Sequence, residues 1–191
     1  MIRYLNIKSI IKIIMKNIFI IGGIVVLILV GGVWWSKSLK GQQISKVIEG
    51  IKEYSITDRA HVLGPVVYEQ TPPVGGRHNS VWVACNGNFY DNPIMKEQAV
   101  HSLEHGAVWI TYKNSLPEDQ LSKLKEKVRG YTFMSPFDEQ ESDIILTAWN
   151  NQLSIQSVDD PRIDEFLKKF RQGPQTPEPG ATCDAVPGGM N

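Results

Sequence analysis

The chain has 191 residues, with 20 basic and 20 acidic side chains, two cysteines and four histidines. This length suits one domain with accessory segments. Residues 1–40 hold six basic residues and no acidic one, so residues 41–191 hold 14 basic and 20 acidic residues. An acidic domain without clustered lysine and arginine argues against a nucleic-acid partner, because phosphate contacts need such clusters.

Residues 18–35 form an uncharged apolar run that ends at Trp34 and Trp35. A helix of about 20 apolar residues spans the hydrocarbon core of a bilayer, so the run predicts a single transmembrane helix. Three lysines precede it: Lys8, Lys12 and Lys16. Their charge places residues 1–17 in the cytoplasm and the C-terminal domain outside it. We therefore expect a single-pass protein of the cell membrane.

Other interpretations of this run are weaker. A cleaved signal peptide needs a small-residue cleavage site, whereas Ser36-Lys37-Ser38 follows the run. A buried core helix is not expected directly behind a basic N-terminal flank. Met15 offers an alternative start of translation, which would leave Lys16 as the only basic residue before the run.

The remainder of the chain divides into three parts. Residues 36–54 predict a juxtamembrane helix or linker, because Ile44, Val47, Ile48 and Ile51 follow helical spacing. The main extracytoplasmic domain is expected at residues 55–173. Residues 174–191 are rich in proline and glycine and predict an irregular tail.

Within the main domain, β-forming runs alternate with helical patterns. The expected strands are 66–68, 81–85, 107–112, 131–134, 144–149 and 153–155. The expected helices run from Asn92-Pro93 to Gly106, from Pro117 to Gly130, and from Asp160-Pro161 to Phe170. Separate strands and helices predict an α+β fold, a mostly antiparallel sheet with a few flanking helices.

Two of the four histidines, His101 and His105, stand four residues apart on the helix that ends at Gly106. Residues four apart share one helical face, so both imidazoles can reach one ion. Zinc or copper needs further ligands, and His61 and His78 are the only other imidazoles. The sequence thus predicts a copper or zinc site with these four histidines as ligands.

Other side chains could complete or support this site. Glu97 and Glu104 offer carboxylate oxygens, and Glu97 lies one turn before His101 on the same face. Met134 offers a thioether sulfur, and soft sulfur favours copper(I). We expect Glu104 to orient an imidazole through its free ring nitrogen rather than to bind the ion itself.

The string from His101 to His105 also matches His-x-x-Glu-His, the inverted zincin motif, in which the glutamate activates water at zinc. Such peptidases are larger and need an elongated cleft, so we do not favour this activity. Alternatively, each histidine is structural. His105 would then interact with the negative helix end, and the others with backbone carbonyls.

Cys85 and Cys183 are the only cysteines. Disulfides form and persist outside the cytoplasm, so we favour a disulfide between them. A metal-ligand role for Cys85 and a pair of free thiols are the alternatives.

An ordered set of motifs extends through the domain: His61, Pro72-Pro73-x-x-Gly76-x-His78, Trp82, Cys85-x-Gly87-x-x-Tyr90, His101-Ser-Leu-Glu-His-Gly-Ala-Val-Trp109 and Thr147-Ala-Trp149. Over about residues 55–185 the chain resembles an uncharacterised prokaryotic family, catalogued as domain of unknown function 3105. The resemblance implies a membrane segment followed by one extracytoplasmic domain. It also implies a histidine at each of the four positions, and cysteines at Cys85 and in the tail 177–183. Asn86 and Val74-Gly75 depart from the family pattern.

The resemblance implies no reaction, and three functions stay open. The first is a membrane-anchored extracytoplasmic metal-binding domain. The second is a metal-dependent hydrolase or redox enzyme that uses the same histidines. The third is a metal-free interaction domain of the cell envelope, with an unidentified protein partner.

Overall fold

A computed structural model describes residues 11–12, 15–18 and 47–189. The residues described before position 47 are helical. The predicted transmembrane segment beyond Ile18, and the linker up to residue 46, lie outside the described residues. In the described ranges, no helix is long and apolar enough to cross a membrane. The residues from Ile48 onward form a compact unit.

Six strands and three helices are present between residues 47 and 189. The strands are β1 (Ile51–Glu53), β2 (Asn86–Phe89), β3 (Val108–Tyr112), β4 (Thr132–Pro136), β5 (Ile144–Ala148) and β6 (Asn151–Ile155). The helices are α1 (Lys96–Glu104), α2 (Glu118–Lys125) and α3 (Arg162–Phe170). All three helices expected in the domain are therefore present, although each is shorter than its sequence pattern.

The strands form one sheet in the order β1-β6-β5-β3-β4-β2. Three pairs are antiparallel, namely β1 with β6, β6 with β5, and β5 with β3. Strand β4 instead pairs parallel with both β3 and β2. The α+β class is confirmed, but the prediction of a mostly antiparallel sheet is wrong, since the sheet is mixed. The cause is α2, because a helix between two strands lets the chain return and run parallel.

Side chains of β3 alternate between two hydrophobic cores. Val108 and Ile110 belong to one core together with Phe166 of α3. Trp109, between them, belongs to the other core together with Leu103 of α1. Successive strand residues point to opposite faces of a sheet. Hence α1, which contains His101 and is capped by His105, covers one face, while α2 and α3 contribute to the core on the other.

The structure differs from the sequence pattern at the start of the domain. Residues 51–53 form strand β1 where a helix was expected, because Ile51 pairs with Leu153 of β6. This tertiary pairing overrides the helical spacing of the apolar residues. Neither 66–68 nor 81–85 forms a strand, and β2 begins only at Asn86.

A disulfide joins Cys85 and Cys183, as predicted. Residues 174–189 contain neither helix nor strand. Three hydrogen bonds also fix this tail, since the Cys85 amide, the Tyr131 hydroxyl and the Trp82 indole each donate to one of its carbonyls at 2.9 Å. The tail is thus bonded to the elements that surround the histidine-bearing helix.

Candidate metal centre

The C-terminal end of α1 carries three of the residues that the sequence pattern assigned to the site or its surroundings. His101 and Glu104 lie within the helix, and His105 caps it. The chain leaves the helix at Gly106, whose φ of +86° lies in the left-handed region that favours glycine. A Cβ at this position would lie 2.7 Å from the side chain of Thr176. Glycine therefore suits both the left-handed backbone and the lack of space for a side chain, and the chain continues directly into β3.

The buried loop 72–76 positions His78. At Gly75 a Cβ would meet the indole of Trp149 at 3.3 Å, and φ is +153°. Glycine lets this backbone run close against the aromatic ring. The proline- and glycine-rich sequence consequently places the His78 side chain in the interior, where none of its surface is exposed.

The outer loop, residues 57–67, supplies His61. Its backbone forms a short parallel bridge with that of His78. The Val62 amide donates to the His78 carbonyl at 2.8 Å, and the His78 amide donates to the Ala60 carbonyl at 3.2 Å. These two bonds hold the outer loop across the site. The side chain of His61 is half-exposed.

Three imidazoles and one carboxylate converge at this point: His61, His78, His101 and Glu104. One ligand atom from each lies within 4.8 Å of the others, so the group could hold a metal ion. The three imidazole centroids are 4.9 Å apart in every pair. Glu104 Oε2 lies 2.9 Å from His78 Nε2 and 4.0 Å from His61 Nε2. The donors therefore come from two loops and one helix.

Backbone carbonyls determine the tautomers of the buried histidines. The Nδ1 atom of His78 lies 2.8 Å from the Gly76 carbonyl, and that of His101 lies 2.7 Å from the Asn79 carbonyl. A carbonyl only accepts hydrogen bonds, so each Nδ1 must carry a proton and donate the hydrogen bond. In a neutral imidazole of this tautomer, Nε2 has a free lone pair, which is the arrangement found in metal-binding histidines.

The close contact between His78 and Glu104 is stable only with a proton or a metal ion between the two side chains. Nε2 of His78 is buried and has no hydrogen-bond partner of suitable geometry, although Glu104 Oε2 is 2.9 Å away. In the neutral imidazole with the proton on Nδ1, the Nε2 lone pair would face a carboxylate oxygen. Burial of such facing acceptors is costly unless a proton or a metal ion lies between them.

Burial and neighbouring charges set the protonation of the site. Burial, together with the nearby imidazoles, lowers the pKa of His101 to about 4. Burial alone would raise the pKa of Glu104, but His78, His101 and Arg59 outweigh it and the pKa is lowered. At neutral pH His101 is therefore a neutral donor and Glu104 is a carboxylate, as metal binding requires.

The group is open to solvent on one side only. The Glu104 side chain is 3% exposed, while that of His61 is 50% exposed. Arg59, also on the outer loop, is 49% exposed, and its Nη1 lies 3.5 Å from Glu104 Oε1. Sequence reasoning missed Arg59. The available signal was its position two residues before His61, because alternate residues of an extended chain point to the same side.

The other predicted site residues, His105, Glu97 and Met134, lie outside the converging group. The His105 ring is 4.7 Å from that of His101, but His105 lies outside the converging set. Its Nδ1 donates to the Thr182 carbonyl at 2.7 Å, and burial lowers its pKa. Glu97 accepts a hydrogen bond from the amide of Val66 at 2.8 Å. Met134 is buried in the core on the opposite sheet face.

The inverted zincin pattern is only partly reproduced in three dimensions. That chemistry needs both histidines of the motif on one ion, with the glutamate beside it. Here His101 and Glu104 converge with histidines of other elements, and His105 contacts the tail and Trp82, whose ring centroid is 4.7 Å away. The helix thus contributes one imidazole and one carboxylate to the group.

The family model described as protein of unknown function (DUF3105) matches residues 61–185. The matched span includes all four histidines, Glu104 and both cysteines. Searches among curated proteins and among solved structures gave no match. Because the match extends over well more than half of the sequence, the chain belongs to the DUF3105 family.

Proposed function

We propose that the domain binds one copper or zinc ion through His61, His78, His101 and Glu104. The observation that carries the proposal is the convergence of three imidazoles and one carboxylate, with one ligand atom from each within 4.8 Å of the others. The buried Nε2 of His78, 2.9 Å from Glu104 Oε2, supports it. Glu104 takes the fourth position that the sequence pattern gave to His105.

The donor set favours a divalent ion. Imidazole nitrogen and carboxylate oxygen suit zinc and copper(II), whereas copper(I) prefers sulfur. Both cysteines are in the disulfide, and Met134 is buried in the other core. Neither the cysteine sulfurs nor the Met134 thioether is therefore available to this group.

Metal analysis of the full chain tests the proposal. Protein incubated with zinc or copper(II) and then desalted should retain about one equivalent, and His101→Ala should retain almost none. His105→Ala is the matched control, because this histidine lies on the same helix end but outside the group. It should retain the ion. Loss in His105→Ala with retention in His101→Ala would contradict the assignment.

A stability measurement separates this proposal from a metal-free interaction domain. An ion present at about 100 times its dissociation constant stabilises the folded state by about 2.7 kcal/mol. Zinc or copper(II) should therefore raise the melting temperature of the wild-type chain and leave that of His101→Ala unchanged. An unchanged melting temperature in both proteins would favour the metal-free alternative.

We also propose that the chain is a single-pass membrane protein with this domain outside the cytoplasm. The apolar run 18–35 and its basic flank support the proposal, as does the disulfide, since disulfides are rare in the cytoplasm. Alkaline phosphatase fused after residue 191 should be active in cells, because that enzyme needs an oxidising compartment. An inactive fusion at normal abundance would contradict the topology.

A further inference from the structure

Occupation of the site by a divalent ion would leave an excess of positive charge. The group contains one carboxylate, Glu104, and Arg59 lies beside it. Two neighbouring carboxylates, those of Asp58 and Glu178, contact other side chains. Asp58 lies 3.7 Å from the Arg77 guanidinium, and Glu178 lies 3.9 Å from His105 Nε2. A divalent ion and a guanidinium would thus face a single buried carboxylate, so positive charge remains in excess.

This excess charge lies on the solvent side. Arg59 and His61 are each half-exposed, whereas the side chains of His78 and Glu104 are buried. The one ionic contact of Arg59 in the described structure is at 3.5 Å and uses Nη1 alone. The half-exposed guanidinium has five N–H donors in all, so it has capacity for a further acceptor. The planar guanidinium can donate two parallel hydrogen bonds to the oxygens of a carboxylate or a phosphate.

We propose that the metal-loaded site binds a small oxyanion, a carboxylate or a phosphate, between the ion and the Arg59 guanidinium. The inference rests on the proposed metal site. The exposed side next to His61 is where a further ligand can approach the ion, and zinc accepts a fifth ligand in some sites. Arg59 therefore serves the second ligand rather than the ion, which it repels.

Cobalt(II) and copper(II) provide the test, because their visible spectra change with coordination. The full chain is loaded with either metal and titrated with acetate and with inorganic phosphate. A saturable spectral change is expected with at least one anion. Arg59→Gln should raise the anion dissociation constant at least about tenfold, in line with the loss of a charge-assisted hydrogen bond. Arg77→Gln, which alters an arginine paired with Asp58, should change it by less than about twofold.

The affinity for the metal provides the second measurement. Removal of Arg59 takes a positive charge away from the ion and frees Glu104, so Arg59→Gln should bind the metal at least as tightly as wild type. A purely structural role of Arg59 would weaken both metal and anion binding. Absence of a spectral change with both anions in the loaded wild type would overturn the inference alone. A chain that retains no metal would instead overturn the proposed function.

Discussion

The disulfide allows a quantitative prediction about stability. Cys85 and Cys183 are separated by 98 positions, and both are buried. In the chain-entropy model, closing a loop of about 100 residues stabilises the folded state by about 4.7 kcal/mol, through its effect on the unfolded chain. The double variant Cys85→Ala/Cys183→Ala removes the link without placing a hydroxyl in an apolar core. We expect its free energy of unfolding to fall by about 4 to 5 kcal/mol.

Chemical denaturation followed by tryptophan fluorescence measures this loss. The tail retains its hydrogen bonds from Tyr131 and Trp82, so the native structure should persist in the variant. No tail side chain belongs to the ligand group, although the Glu178 amide of the tail donates to the backbone carbonyl of Glu104 at 3.0 Å, and metal stoichiometry should therefore stay at about one. A loss below about 1 kcal/mol would refute the loop-closure argument. Loss of metal binding in a folded double variant would refute the placement of the tail outside the ligand group.

Three further predictions concern the packing of helix α1 and the titration of His101 within it. Gly106→Ala should destabilise the protein by about 2 to 4 kcal/mol, because the left-handed backbone and the contact with Thr176 both oppose a Cβ. Gly64→Ala is its control, with φ of +94° but open space, and should cost only about 1 to 2 kcal/mol in the same denaturation assay. Leu103→Ala should cost about 2 to 5 kcal/mol, since its side chain is fully buried against the sheet, and a smaller loss in thermal or urea unfolding would contradict the packing. Folding lowers the pKa of His101 from 6.5 to about 4, so protonation of this histidine disfavours the folded state. In metal-free protein, with a chelator present, the free energy of unfolding should therefore be constant with respect to His101 above pH 6.5 and decline as the pH falls towards 4. Denaturation at a series of pH values should show this decline in wild type and a smaller one in His101→Gln.

Local patterns in the sequence were sufficient for most elements of the domain. The helix burying Ile163 and Phe166 was predicted from helical spacing, and β5 and β6 from β-branched and apolar runs joined at Asn150. These signals depend on residues close in sequence, so no knowledge of the remaining chain is needed to interpret them. The same holds for the exit of α1 at Gly106.

Pairing between distant segments could not be obtained in this way. Strand β1 has a helical apolar pattern and becomes a strand because β6 lies beside it. The parallel pairing of β4 with β3 and β2 follows from where the crossover helix packs. Both results depend on contacts between distant segments, on which local spacing carries no information.

For the metal centre, the sequence by itself determined the residue types and one helical face. It proposed His61, His78 and His101, which the structure brings together, and it predicted the disulfide from the expected extracytoplasmic location. Only the tertiary structure decided that Glu104 joins them, that His105 turns to the tail, and that Arg59 lies at the open side. The physical reason is that helical spacing determines only which side chains share a helix face. The loops that pack over that face determine which donor atoms come together.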